Sequence, residues 1–448
     1  MSEAINTQKP FRILCLDGGG IRGVITARML QEVEKQIREH HQQSLAEYFD
    51  MIAGTSTGSL LASAVSMGYT SQDLIGLYQD KGLEIFPYQS LASPSRWKLF
   101  FRYGLSAPKF SNDGLIKVLT ELPMFQQDGK HVLLKEVGKP PGETQPKSIL
   151  LILAYDAKYR NTTFFTNYHP ASPKRWYDNL PLWKVCLASA AAPTFFPACD
   201  LTNTESGTVE TGETVSETWS FPHVDGGVAA NNPSLCAIAQ ALMLGHRLED
   251  IELLSIGTGQ NKKPLGYDEI EGWGLVQWGL RIADVFMEGQ AELQGEVCQR
   301  LLGGKSSNRY LRLQFDLNDS LGAPRNSLAQ PPILPNAKRK NRLLGKQVSE
   351  SMDDATPKNI ARLLEAAGLY VEQGNLYEGR FDHYGSVKNA IEDFLKNPAG
   401  ERKRREKIAQ PPSLPPVNSA ATSTSANTFR TRLLADSARR GYARTGQA

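Results

Sequence analysis

Two short apolar runs in this chain each stop at a glycine-rich turn and give way to a stretch with helical spacing, and that repeated order constrains the fold more than any other feature. The first is Phe11-Arg12-Ile13-Leu14-Cys15-Leu16, followed by Asp17-Gly18-Gly19-Gly20-Ile21-Arg22-Gly23 and the helix-patterned residues 24–34. The second passes from Tyr48-Phe49-Asp50-Met51-Ile52 through Gly54-Thr55-Ser56-Thr57-Gly58 into Leu60-Leu61-Ala62-Ser63-Ala64-Val65. Apolar runs bounded by glycine turns are buried strands, and strands alternating with helices build an α/β domain on a largely parallel sheet. Further strands are expected at 148–155, 251–256 and 310–315, and an exposed loop or hairpin insertion at 201–219, which is rich in Thr, Glu, Ser and Gly.

The chain has 448 residues, enough for a large core with an appendage, and 40% of them are hydrophobic. No run approaches the roughly 18 apolar residues that spanning a bilayer requires. The first ten residues are polar and lack the basic and apolar regions of a secretory signal, so a cytoplasmic protein is expected. Five scattered cysteines without C-x-x-C spacing favour neither a disulfide framework nor a zinc site. The formal net charge of +3 is unevenly spread: residues 401–448 hold ten basic and three acidic residues, leaving the body mildly acidic and marking no nucleic-acid polymer as a partner.

Gly54-Thr55-Ser56-Thr57-Gly58 is a G-x-S-x-G turn between strand and helix, the arrangement that presents a serine Oγ as a nucleophile. An acyl hydrolase also needs a base and donors for an oxyanion. Gly18, Gly19 and Gly20 at the start of a helix would supply N–H donors, with Arg22 adding positive charge. Gly18, Gly20 and Gly23 equally satisfy the G-x-G-x-x-G of a dinucleotide loop, although the acidic residue a dinucleotide site wants about 20 residues on is missing from the polar helix end at 37–43. None of the seven histidines sits in a setting resembling a triad loop. The better base is Asp225, where the apolar approach His223-Val224 meets Asp225-Gly226-Gly227; an ordinary Asp-Gly-Gly turn is the other reading of that segment.

Taken in order, Asp17-Gly18-Gly19-Gly20-Ile21-Arg22-Gly23, Gly54-Thr55-Ser56-Thr57-Gly58, Ala188-Ser189-Ala190-Ala191-Ala192-Pro193 and Asp225-Gly226-Gly227 resemble the patatin-like phospholipase family of lipid acyl hydrolases. Similar segments follow at Asn232-Pro233 and 255–259, and a weaker one at 351–357. The resemblance implies a three-layer α/β/α fold with a mainly parallel central sheet, to which the residue pattern adds a helical C-terminal portion. It also implies a Ser56–Asp225 dyad without histidine or metal, no cofactor, an oxyanion hole from Gly18–Gly20 with Arg22, and Asp17, Gly23, Gly54, Gly58, Gly226 and Gly227 as supports. The expected organisation is a disordered 1–9, a catalytic domain at 10–320, a mostly helical extension packed on it at 321–396, and a disordered basic low-complexity tail at 397–448. In the extension Thr356-Pro357 opens a helix that Gly368 is expected to stop.

The substrate so implied is a membrane phospholipid or another ester lipid, met by peripheral contact with the membrane. Residues 95–103, with Lys98 and Arg102 among aromatics, and the basic cluster at 402–407 are the sequence's docking candidates. The family also contains bacterial effectors of antiphage signalling switched on by a cyclic nucleotide, and Lys338-Arg339-Lys340 offers phosphate contacts for such an activator. Two other classes stay open at this level: a dinucleotide-binding oxidoreductase, and a non-catalytic storage or scaffold protein on the same fold.

Overall fold

The computed structural model describes residues 9–87, 107–169, 175–208, 214–261, 265–304, 307–318, 339–374, 376 and 385–396. Expectations for residues 1–8, for 95–103, for Lys338 and for the tail at 397–448 lie outside them. The chain divides into a unit spanning Met1–Arg404 and a second, Arg405–Ala448, the second wholly outside the described residues.

The strands are β1 (Phe11–Leu16), β2 (Met51–Thr55), β3 (Gln126–Gln127), β4 (Lys130–His131), β5 (Ile149–Asp156), β6 (Asn161–Thr166), β7 (Cys199–Thr208), β8 (Thr214–Asp225), β9 (Ile251–Ile256) and β10 (Tyr310–Leu313). One sheet runs β10-β9-β1-β2-β5-β8-β7 with β6 also on β5, while β3 and β4 form a separate hairpin. The β10, β9, β1, β2 and β5 ladder is parallel throughout; β6, β8 and β7 add antiparallel pairs at one side.

Helices cover both faces, so each parallel strand is buried on both sides and reads as a continuous apolar run. Along β1, Phe11, Ile13 and Cys15 enter one core and Leu14 and Leu16 the other; Met51 and Ala53 of β2 oppose Ile52 in the same way. The larger core packs under α1 (Gly23–His41), α3 (Thr57–Ser66) and α4 (Ser71–Ile85), the last two numbered after the single turn α2 (Leu45–Tyr48). The smaller packs under the helices Ser234–Met243 and Leu275–Leu301. Ile360, Leu363, Tyr370, Ile391 and Phe394 belong to the larger core, so the helices Pro357–Gln373 and Val387–Lys396 share it with the sheet.

Two local expectations are corrected and one is narrowed. The strand before Ser56 begins at Met51, because residues 45–48 coil into a helical turn capped by Ser44 and Glu47. Of the two alternatives for 201–219, loop or hairpin insertion, the structure has the hairpin: residues 201–208 and 214–219 are paired strand of β7 and β8. Thr356 does cap the next helix, its hydroxyl accepting from Asn359 N–H, but the helix runs through Gly368 to Gln373. Gly368 lies against Arg28, and two residues on the buried Tyr370 ring stacks on Phe315 with centroids 4.7 Å apart. That packing outweighs the roughly 1 kcal/mol that a mid-helix glycine costs.

The placement of the site follows from β5. One edge of β5 pairs with β6 from Leu151 to Asp156, so β2 and β8 must share the other. The parallel β2 occupies that edge up to Thr55↔Leu153, and the antiparallel β8 occupies its continuation from Ala154↔Asp225 to Asp156↔His223. Two strands therefore end head to head on one edge, with Ser56 and Asp225 at the junction.

Candidate active site

Ser56 sits between β2 and α3 at φ 55° and ψ −129°, a left-handed backbone that a residue with a Cβ rarely adopts and that surrounding contacts must hold. Its N–H donates to Ser189 Oγ at 2.9 Å, and its carbonyl accepts from Ser59 N–H at 2.9 Å and Ser59 Oγ at 2.6 Å. Gly54 and Gly58 let strand and helix meet backbone to backbone. A Cβ on Gly54 would strike the Gly58 carbonyl, and one on Gly58 the Leu16 carbonyl.

Ser56 Oγ donates to Asp225 Oδ2 at 2.6 Å, and Gly227 N–H donates to Asp225 Oδ1 at 2.7 Å. Gly226 leaves no room for a side chain over the Leu153 carbonyl. Asp225 is buried, and desolvation raises its carboxyl from 3.8 to about 6, against the lowering effect of the Ser56 and Gly227 hydrogen bonds. Ser189 ties both halves together: its hydroxyl receives Ser56 N–H and donates to Leu153 O at 2.6 Å, while its carbonyl accepts Gly226 N–H at 3.2 Å.

The glycine loop is fastened residue by residue. Asp17 is buried under a bidentate pair with Arg312, whose Nη1 donates to Oδ1 at 2.8 Å and whose Nη2 meets Oδ2. Gly18 N–H donates to Asn231 O at 3.1 Å, and Gly18 O accepts from Thr258 Oγ1 at 3.1 Å and Asn231 Nδ2 at 3.3 Å. Gly20 takes φ 60° with the Met352 carbonyl pressed against it, and that carbonyl accepts Ile21 N–H at 2.8 Å. Gly23 opens α1 beside the Tyr78 hydroxyl, where a larger residue would clash.

This geometry revises the sequence-derived oxyanion hole. Gly18 N–H is committed to Asn231, and Arg22 is buried with Nη1 directed to the Glu350 carbonyl at 3.4 Å, off the cavity lining. Gly19 and Gly20 do line the cavity with Ser56 and Asp225, and among the described residues neither N–H meets an acceptor. Arg339, a candidate for phosphate contact, pairs through Nη1 with Glu350 at 2.7 Å and donates through Nη2 to Asn318 O at 2.6 Å.

The hydrogen-bonded Ser56 and Asp225 open on a cavity of about 530 Å³ walled by Leu60, Leu77, Ile85, Phe86, Leu115, Phe196, Phe286 and Met352. Phe86, Phe110 and Phe196 pack within 5.9 Å of one another and stiffen one side. No described histidine bonds to Ser56 or Asp225; His223, two residues from Asp225, is held by Thr163 Oγ1 at 2.9 Å and Phe221 O at 2.8 Å. Among the described residues no group of three His, Cys, Asp or Glu side chains could hold a metal ion. Sequence reasoning missed Ser189, Asn231, Thr258 and Arg312 as site supports. Ser189 carried a signal in its Ala-Ser-Ala-Ala-Ala-Pro setting, whereas Arg312 lies within an ordinary strand.

Comparison with known proteins agrees with these observations. Residues 14–238 match the sequence family described as patatin-like phospholipase. The chain is 29% identical over 434 residues to patatin-like protein 3 of Arabidopsis thaliana, covering 88% of this chain and 90% of that protein. It is 27% identical over 440 residues to patatin-like protein 2 of Oryza sativa, covering 89% and 94%. A further relative, at 29% over 328 residues and 67% and 78% coverage, is the probable inactive patatin-3-Kuras 1 of Solanum tuberosum. Among solved structures, human GIVD cytosolic phospholipase A2 aligns at a TM-score of 0.41 and 12% identity, over 86% of this chain and 60% of that one. On its own motifs and on the half of its length that the family profile covers, this chain belongs to the patatin-like phospholipase family.

Proposed function

We propose that the chain is a lipid acyl hydrolase of phospholipase A type, with Ser56 as nucleophile and Asp225 as its only base. Family membership supports a lipid-hydrolysing enzyme. The observation that carries the finer reading is the 2.6 Å hydrogen bond from Ser56 Oγ to Asp225 at the mouth of an apolar cavity.

In this reading Ser56 Oγ attacks the ester carbonyl carbon while its proton passes to Asp225 Oδ2. The carbonyl oxygen becomes an oxyanion held by Gly19 and Gly20 N–H, each such donor lowering the barrier by about 3 kcal/mol. Collapse breaks the ester C–O bond, and the leaving alkoxide takes the proton from Asp225. Water then attacks the acyl-serine, gives a proton to Asp225, and the fatty acid departs as Ser56 regains its hydrogen. An aspartate near 3.8 would be a poor proton acceptor. Burial that lifts Asp225 to about 6 brings it closer to the serine it must deprotonate.

Two observations bear on the other classes. The N-terminal donor that a pyrophosphate would use, Ile21 N–H, is taken by the Met352 carbonyl, against a dinucleotide site. An inactive scaffold has no need of the strained Ser56 backbone or the buried carboxylate, both costly to stability. The test is fatty-acid release from phosphatidylcholine vesicles by wild type and Ser56→Ala, with cyclic nucleotides as an added arm. Loss of release in the variant is expected; a variant as active as wild type would overturn the assignment.

A further inference from the structure

The helix Leu275–Leu301 has an inner face buried at Ala291 and Cys298, and Cys298 enters the smaller core. Its opposite face is apolar from Trp278 to Leu293, where a soluble helix is usually polar, and gives way to the Glu296–Arg300 ion pair in the last turns. At 100° per residue Trp278, Val285, Phe286 and Leu293 fall on that outer side, a stripe about 22 Å long from Trp278 to Leu293. Val285 is 41% exposed, Phe286 58% and Leu293 64%. Upstream, Trp273 packs edge-on against Trp278 with centroids 5.2 Å apart, and Tyr267 is 74% exposed.

The stripe is continuous with the catalytic cavity, since Phe286 belongs to both and the next residue, Met287, lines the cavity. Exposed apolar residues flanked by Trp and Tyr are the composition of a surface that settles at headgroup depth. Its charge narrows the partner further. Residues 267–296 contain Asp268, Glu269, Glu271, Asp284, Glu288, Glu292 and Glu296 against the single basic residue Arg281, a balance that repels an anionic bilayer. No described helix is long and apolar enough to cross a membrane, so such a contact lies on the surface.

Resting on the lipid-hydrolase reading above, we infer that the outer face of the helix Leu275–Leu301 is an interfacial docking surface for neutral or zwitterionic lipid, delivering an acyl chain past Phe286 to Ser56. This differs from the basic segments that sequence alone nominated for docking. It attributes membrane contact to apolar burial beside the cavity mouth, not to cationic attraction.

The test uses the full chain and the double variant Val285→Ser/Leu293→Ser, neither residue being part of the cavity wall. Three quantities are measured: cosedimentation with phosphatidylcholine vesicles at low and high salt, hydrolysis of those vesicles, and turnover of a soluble short-chain ester. Expected are salt-insensitive binding by wild type and a loss of about tenfold or more in both binding and vesicle hydrolysis in the variant. Soluble-ester turnover stays unchanged. Wild-type binding abolished by high salt, or a variant that binds vesicles like wild type, overturns the proposal. So does sedimentation velocity showing that the substitutions only dissociate a dimer while vesicle binding persists. Failure of the hydrolase reading is separate: wild type would then turn over the soluble ester no better than Ser56→Ala, whatever the vesicle binding.

Discussion

Asp225→Asn should abolish activity and at the same time stabilise the protein, in a pH-dependent way. Asparagine keeps the local bonding, because its Oδ1 can accept Gly227 N–H and its Nδ2 can donate to Ser56 Oγ. What it removes is a buried charge. The Asp225 carboxyl is raised from 3.8 to about 6, chiefly by desolvation, so folding favours its protonated form. The associated stability is fully present below the unfolded value near 3.8 and is lost as pH rises through about 6. Two pKa units at 1.36 kcal/mol each put the cost of the ionised group at about 3 kcal/mol above pH 7. Asp225→Asn should therefore unfold at a temperature higher by about 3 to 6 °C at pH 8, with the gain fading towards pH 4. In the proposed mechanism catalysis runs the other way, because only ionised Asp225 can accept the serine proton. Wild-type kcat/KM should fall about tenfold per pH unit below about 6, and the variant should lose about 10²–10⁴-fold at pH 8. Differential scanning calorimetry across pH and a pH–rate profile on a soluble ester provide the measurements. A variant less stable than wild type at pH 8, a stability difference independent of pH, or a flat wild-type profile between pH 5 and 7 would exclude a buried, raised Asp225 as the base.

Two further substitutions probe the supports. Ser189→Ala removes the acceptor of Ser56 N–H and the donor to Leu153 O, so kcat should drop about tenfold with KM little changed, as steady-state kinetics on a soluble ester will show. Arg312→Leu strands the buried Asp17 carboxylate and should cost about 3–5 kcal/mol in urea unfolding; adding Asp17→Asn should recover part of that loss, since the penalty lies in the unpaired charge.

Much of the α/β architecture was legible because it rests on local rules. Phe11–Leu16 and Ile251–Ile256 are continuous apolar runs since both faces of a parallel strand are covered. Gly54 and Gly58 mark the elbow because strand and helix backbones touch there. Where local rules failed, packing had overridden them: Gly368 reads as a stop, yet the helix continues because Tyr370 has a ring to stack on. The segment 201–219 stayed open between loop and hairpin because its Thr, Glu, Ser and Gly content lacks the apolar alternation that marks a buried strand.

At the site the division is sharper. Motif chemistry alone named Ser56 and Asp225 and dismissed the histidines, since a tight glycine turn and a short acid leave their mark in a few consecutive residues. The tertiary structure decided everything that depends on residues far apart in the chain. Ser56 and Asp225 are 169 positions apart, and they meet because β2 and β8 end head to head on one edge of β5. That same packing commits Gly18 N–H to Asn231, turns Arg22 towards Glu350, leaves Gly19 and Gly20 on the cavity, and buries Asp225 deeply enough to raise its carboxyl to about 6. Strand register, desolvation and the choice of hydrogen-bond partner are properties of assembled neighbours, and no window along the sequence contains them.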